Sequence, residues 1–194
     1  MIMSTTMNQN EPKRIHPHKF TLWVAMGSIC MMFAGLTSAY IVKKNQANFL
    51  EFDLPKVFWY STFVILLSSL TVQLAVASFK AREMAKYKSW ITVTALLGVA
   101  FAALQVVGFK DLNAHGIQLV GAGSNAAASF ILVIVGLHAV HVLGGVVVLI
   151  ITFIRAFATK TRTYTTTPIE IVSIYWHFVD VLWLYLLIFF IWIR

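Results

Sequence analysis

The sequence predicts an all-α, polytopic membrane protein with five transmembrane helices, its N-terminus cytoplasmic and its C-terminus outside. Three observations carry that expectation. Of the 194 residues, 59% are hydrophobic and 11% charged, with mean hydropathy +0.81; a soluble domain cannot cover so much apolar surface. Five apolar runs, at 20–42, 57–79, 90–109, 129–154 and 171–193, each reach the ~20 residues that a helix needs to cross a bilayer. Lys and Arg gather in the polar segments on one side of those runs. Alternating strand patterns bounded by turn clusters are absent.

In chain order, residues 1–19 are polar, with Lys13, Arg14, His16, His18 and Lys19 ahead of the first run. This reads as a cytoplasmic lead-in and not a signal peptide, because the following run is too long for an h-region. The first span, 20–42, ends at Lys43 and Lys44. A short charged loop with Glu51, Asp53 and Lys56 follows, and Pro55 suits the start of the second helix. Lys80, Arg82, Glu83, Lys86 and Lys88 make a tight basic turn between the second and third spans. Residues 110–128 read as a Gly/Asn/Ala loop, and a Thr-rich loop with Arg155, Lys160 and Arg162, broken by Pro168, precedes the fifth span. Trp23, Trp59, Trp90 and Trp192 sit near span ends, as an interfacial aromatic belt requires.

The net charge of +8 does not signal nucleic acid, because the basic residues occupy short segments between apolar runs. Ten of the 15 Lys and Arg fall at the N-terminus and in the segments 80–89 and 155–168. Those segments share one side of the membrane, which the charge bias assigns to the cytoplasm. The single cysteine, Cys30, lies inside an apolar run, excluding an intrachain disulfide framework and a cysteine-rich metal or iron–sulfur site.

Helix contacts are legible as small residues. Gly35/Ala39 and Gly98/Ala102 are small-xxx-small pairs that allow close backbone approach in lipid, and Gly144-Gly145 makes a smooth patch on the fourth span. The cluster of Met26, Met31 and Met32 reads as packing and not as a cofactor ligand set.

The candidate site is a set of ionisable residues in the last two spans. His177 and Asp180 lie inside the fifth apolar run, three positions apart and hence on one helix face. Asp180 falls roughly 13 Å into the run at 1.5 Å per residue, where a carboxylate costs on the order of 2.5–3.5 kcal/mol on insertion scales. His138 and His141 repeat the spacing on the fourth span. If the two spans run antiparallel, His141 and Asp180 meet near the midplane, and the three histidines with Asp180 are expected to form an interhelical hydrogen-bonded network. Three functional classes fit such residues: haem ligation by histidines, a proton or ion pathway, and a structural subunit whose polar cluster fixes helix packing.

Two motifs then point to a family. Tyr175-Trp176-His177-Phe178-Val179-Asp180-Val181-Leu182-Trp183 closely resembles the last-helix signature of subunit III of haem–copper terminal oxidases (cytochrome c oxidase). Gly136-Leu137-His138-Ala139-Val140-His141-Val142-Leu143-Gly144-Gly145 resembles the same family's G-x-H-x-x-H-V-x-x-G helix. Weaker similarity covers Ala34-Gly35 with Ala39-Tyr40, and Leu97-Gly98 with Phe101 and Gln105.

The resemblance implies a non-redox accessory subunit of a bacterial cell-membrane complex. It would pack against subunits I and II, hold no haem or copper itself, bind phospholipid, and sustain proton uptake and complex stability. An oxygen entry route through the bound lipid is part of the same expectation. Larger members have seven helices, so this chain resembles the form lacking the first two, and another respiratory complex is a further candidate partner. Two family carboxylates are replaced: one falls at Ile29 within Ser28-Ile29-Cys30-Met31-Met32-Phe33, the other at about Gly108. The accessory subunit of nitric oxide reductases, from the same superfamily, is the alternative of closest kind.

Overall fold

The computed structural model describes residues 17–44, 56–114, 126–158 and 165–193. They form five helices: α1 (Pro17–Lys44), α2 (Val57–Lys80), α3 (Met84–Ala114), α4 (Ala126–Phe157) and α5 (Thr167–Trp192). Each contains a stretch long and apolar enough to cross a membrane, and no strand occurs among the described residues. The chain is a multi-pass membrane protein.

The helices run beyond most of the apolar spans. α3 starts at Met84 and continues to Ala114, and α4 starts at Ala126, so both edges of the expected 110–128 loop are helical. An apolar span ends where side chains turn polar, whereas a helix ends where its last backbone groups find other partners. The two boundaries therefore separate. Pro168, expected to break a loop, instead sits in the first turn of α5. There its missing N–H leaves no intrahelical bond unmade, and its φ is already helical. Pro55, Lys160 and Arg162 lie outside the described residues.

The basic turn between α2 and α3 is tighter than its composition suggests. The Arg82 N–H donates to the Phe79 carbonyl at 3.1 Å and the Glu83 N–H to the Ser78 carbonyl at 3.0 Å. This is a Schellman closure, with Arg82 at φ 60° in the left-handed position that glycine usually fills. A non-glycine residue there costs on the order of 1 kcal/mol.

α2, α3, α4 and α5 form a four-membered ring in which each helix touches its two neighbours. α1 stands outside the ring and, among the described residues, packs on α4 and α5. Its inward face is Met26, Phe33, Thr37 and Tyr40, and the Thr37 and Tyr185 hydroxyls meet at 2.8 Å. Gly35 points elsewhere: a Cβ built on it would meet nothing within 4 Å. Thus the expected small-residue contact at Gly35/Ala39 is not the one α1 makes, because Gly35 lies two residues, or about 200° of helix rotation, from Phe33.

Ion pairs place the helix ends. Lys19 at the start of α1 and Lys80 at the end of α2 both bind Glu170 at the start of α5, at 2.6 and 2.9 Å. Lys88 near the start of α3 lies 5.0 Å from the Phe157 ring centre at the end of α4. One end of the bundle therefore gathers the starts of α1, α3 and α5 with the ends of α2 and α4. At the opposite end, the Lys44 ammonium donates to the Ile193 carbonyl beyond α5. Trp23, Trp59 and Trp192 are exposed near helix ends, as a belt requires, while Trp90 is half-buried against the core.

Candidate functional site

α5 presents a row of polar-tipped side chains to α2. Trp176 and Trp183 are buried, and their indole N–H groups need acceptors because lipid offers none. Trp176 Nε1 donates to Ser68 Oγ at 3.1 Å, and Trp183 Nε1 to Thr62 Oγ1 at 2.9 Å. His177 bridges to the same helix, with Nδ1 2.6 Å from Ser69 Oγ and Nε2 3.3 Å from Gln73 Oε1. Hydroxyls spaced along α2 thus set the register of α5.

Trp176 also fills the middle of the ring. Its indole lies between α3 and α4, 3.0 Å from where a Gly98 Cβ would stand and 2.9 Å from where a Gly145 Cβ would stand. These glycines admit an aromatic wedge, and not, as expected, a neighbouring backbone. Gly108 does the same for Phe58, whose Cε1 lies 2.8 Å from the place of a Cβ. Gly144 faces outward, with only the Tyr175 hydroxyl nearby at 3.9 Å, and Ala102 is half-buried.

The four ionisable side chains diverge. His141 turns toward α1: its Nδ1 donates to the Leu137 carbonyl at 2.7 Å, and its ring meets Phe33 edge-on at 6.0 Å. The Tyr175 hydroxyl donates to the His141 carbonyl at 3.0 Å. His138 turns into the ring centre with 0% exposure, stacked on Trp183 at 5.3 Å and edge-on to Phe101 at 6.4 Å. His177 lies in the α2–α5 seam, and Asp180 is 2% exposed one turn before Trp183. Ser69 stands between His177 and Asp180. Its short contact is with the imidazole, and neither Asp180 oxygen has a hydrogen-bond partner among the described residues.

No direct hydrogen bond among the described residues joins any two of His138, His141, His177 and Asp180. The expected direct network is thereby corrected. Equal depth on neighbouring helices does not make faces meet, and the three-residue spacing on α4 turns His138 inward and His141 toward α1. Among the described residues, neither His138 nitrogen nor either Asp180 oxygen has a hydrogen-bond partner, and Gln105 Oε1 is likewise unpartnered.

A family model for cytochrome c oxidase subunit III matches residues 47–194, which takes in α2 to α5 and hence the whole ring. The chain belongs to the cytochrome c oxidase subunit III family. Individual subunit III sequences agree. Cytochrome c oxidase subunit 3 of Bacillus sp. (strain PS3) is 30% identical over 169 residues, covering 84% of this chain and 80% of that protein. The probable cytochrome c oxidase subunit 3 of Nocardia farcinica is 31% identical over 184 residues, covering 89% of each. The cytochrome bo(3) ubiquinol oxidase subunit 3 of Pseudomonas aeruginosa is 28% identical over 170 residues, covering 85% of this chain and 79% of that protein.

Within this subunit III fold, the two positions where family carboxylates were expected have become packing positions. Ile29 packs on the core, and Gly108 receives the Phe58 ring. Sequence reasoning missed Thr62, Ser68, Ser69 and Gln73 as the partners of α5. The signal was available, since hydroxyls and a carboxamide inside the apolar run 57–79 are the groups that hydrogen-bond between helices in lipid. It also left aside Glu170, which lies at the head of α5 and joins α1 to α2 through two lysines.

Proposed function

We propose that the chain is the non-redox subunit III of a respiratory terminal oxidase in a bacterial cell membrane. It packs on the catalytic subunit I and with subunit II, which hold the haems and copper, and it supports aerobic electron transport by maintaining proton uptake and complex lifetime. The family assignment carries this reading, and the site geometry supports it. His141 and His177 spend nitrogens on the Leu137 carbonyl and the Ser69 hydroxyl, and His138 is sandwiched among aromatic rings. Side chains used in this way serve packing better than axial ligation or an ion path. The nitric oxide reductase reading has no observation in its favour, whereas the related subunits quoted above all carry oxidase names.

The end of the bundle with Lys19, Lys80 and Lys88 faces the cytoplasm on this reading, in keeping with the charge bias. α1 and α2 both touch α5 without touching each other, leaving a groove floored by Val181, Tyr185 and Ile188, all exposed. Phospholipid, together with helices of a neighbouring subunit or respiratory complex, occupies this groove. The decisive test is purification of the chain from its native membrane by an affinity tag. Co-purification of a subunit I with haem and copper is expected, and its absence, or recovery with a nitric oxide reductase catalytic subunit, overturns the proposal.

A further inference from the structure

The three unpartnered polar side chains of the core are stacked in order along the bundle axis. His138, Phe101 and Trp183 share one layer, because the imidazole contacts both rings and the two rings contact each other at 5.6 Å. Gln105 lies four residues after Phe101 on α3, hence one turn toward the α3 C-terminus, or about 6 Å along the axis. Asp180 lies three residues before Trp183 on α5, about 4.5 Å from the layer in the opposite direction, since α5 runs parallel to α3. His138 therefore stands between an amide oxygen on one side and a carboxyl on the other. One of its ring faces is stacked on Trp183, and both of its nitrogens are without a partner among the described residues.

The three residues stand at successive levels of the bundle, about 4.5–6 Å apart along its axis, and none of their free polar atoms bonds another side chain directly; an oxygen that makes two bonds of ~2.8 Å can join such neighbours. The capacities also match. A neutral imidazole offers one donor and one acceptor, Gln105 Oε1 is an acceptor, and a water both donates and accepts. Gln105 is oriented for this role, because its Nε2 is already committed to Ser61 Oγ at 3.2 Å. Buried polar groups left without partners are destabilising, and ordered water is the usual remedy where two to four polar groups converge.

We propose that the ring centre is a binding site for ordered water in which His138 is the hub, joined through one water to Gln105 and through another to Asp180. The chain so formed links α3, α4 and α5 by hydrogen bonds that these side chains do not make directly, and Ser61 extends it to α2 at the Gln105 end. The site belongs to this subunit's own core and not to its groove or to its contact with other subunits.

Two measurements on the assembled complex test it. A high-resolution map should show an ordered water within hydrogen-bond distance of His138 and Gln105, and a second shared by His138 and Asp180. Rotated side chains that pair directly, or a dry centre in a map showing waters elsewhere in buried protein, overturn the proposal. Independently, His138→Phe keeps an aromatic ring against Trp183 but removes both nitrogens, and should lower the melting temperature of the subunit. Adding Gln105→Leu should then cost much less than it does in the wild-type background, because the bridge it served is already broken. Strictly additive losses overturn the proposal. If His138→Phe does not assemble, Gln105→Leu alone supplies the test through the map, where the water beside it should vanish while the one at Asp180 remains; loss of neither refutes the hub.

Discussion

Replacing Gly145 by alanine should expose how tightly the Trp176 wedge is held. The new Cβ would stand 2.9 Å from Trp176 Cζ3, 3.0 Å from Cε3 and 3.3 Å from Tyr175 Cε1. Carbon atoms prefer ~3.5–4.0 Å, so the indole must retreat by about half an ångström or more. It has little freedom to do so. Its far edge already occupies the space at Gly98, where Cη2 lies 3.0 Å from the place of a Cβ, and its Nε1 is tied to Ser68 at 3.1 Å. Overpacking of this kind costs ~1–3 kcal/mol.

Alanine also gains up to about 1 kcal/mol over glycine within a helix, which would hide part of the loss. The comparison must therefore be made with Gly136→Ala and Gly27→Ala, where an added Cβ meets nothing within 4 Å. Relative to those controls, Gly145→Ala should be less stable by ~1–3 kcal/mol, a several-fold to hundredfold change in the folded ratio. Thermal melting of the purified complex, followed by retention of the subunit in gel filtration, provides the assay. Combining Gly145→Ala with Trp176→Leu should cost less than the sum of the two single changes, since the clash is removed with the ring. A Gly145→Ala variant that melts with Gly136→Ala would refute the wedge.

Four further outcomes are expected. Asp180→Asn should reduce the yield of assembled complex by disturbing the proposed water-mediated bonding of a buried acid, since a buried polar group left unsatisfied costs ~1–3 kcal/mol, while turnover per assembled complex is preserved; normal assembly with lost proton pumping would favour a relay instead. The purified subunit, freed of its partners, should show no stoichiometric Soret absorbance, and a visible spectrum checks this. Glu170→Gln should weaken the tie from α1 to α2 by no more than ~1 kcal/mol for each exposed lysine pair, with a smaller difference from wild type at high salt, read by melting at two ionic strengths. Cysteines placed at Val181 and Ile188 in the groove should cross-link to a neighbouring subunit in native membranes, and labelling only by lipid-soluble reagents would mean that lipid alone fills it.

Composition and the run lengths were enough to determine that the chain is a multi-pass membrane protein, with five described helices long and apolar enough to cross a bilayer. That is a one-dimensional property: hydrocarbon must be matched by a run of apolar residues, whatever the neighbours are. The two motifs likewise placed the family, since Tyr175 to Trp183 and Gly136 to Gly145 are local strings. Gly98 and Gly145 were legible as contact points but not as to what contacts them. A small residue announces that something comes close, and only the fold supplies the indole of Trp176.

The partnerships within the core were decided by the tertiary structure alone. His138 and His141 have the same spacing and type as a ligand pair or a network, yet one enters the ring and the other turns to α1. Spacing determines which residues share a helix face, but rotation of that helix against its neighbours determines where the face looks. In a membrane every outward face is apolar and solvent gives no contrast between inside and outside, so sequence polarity cannot report that rotation. It is set by side-chain shape and by where the few hydroxyls stand: Thr62 and Ser68 receive the two buried indoles of α5, and that choice turns Asp180 inward.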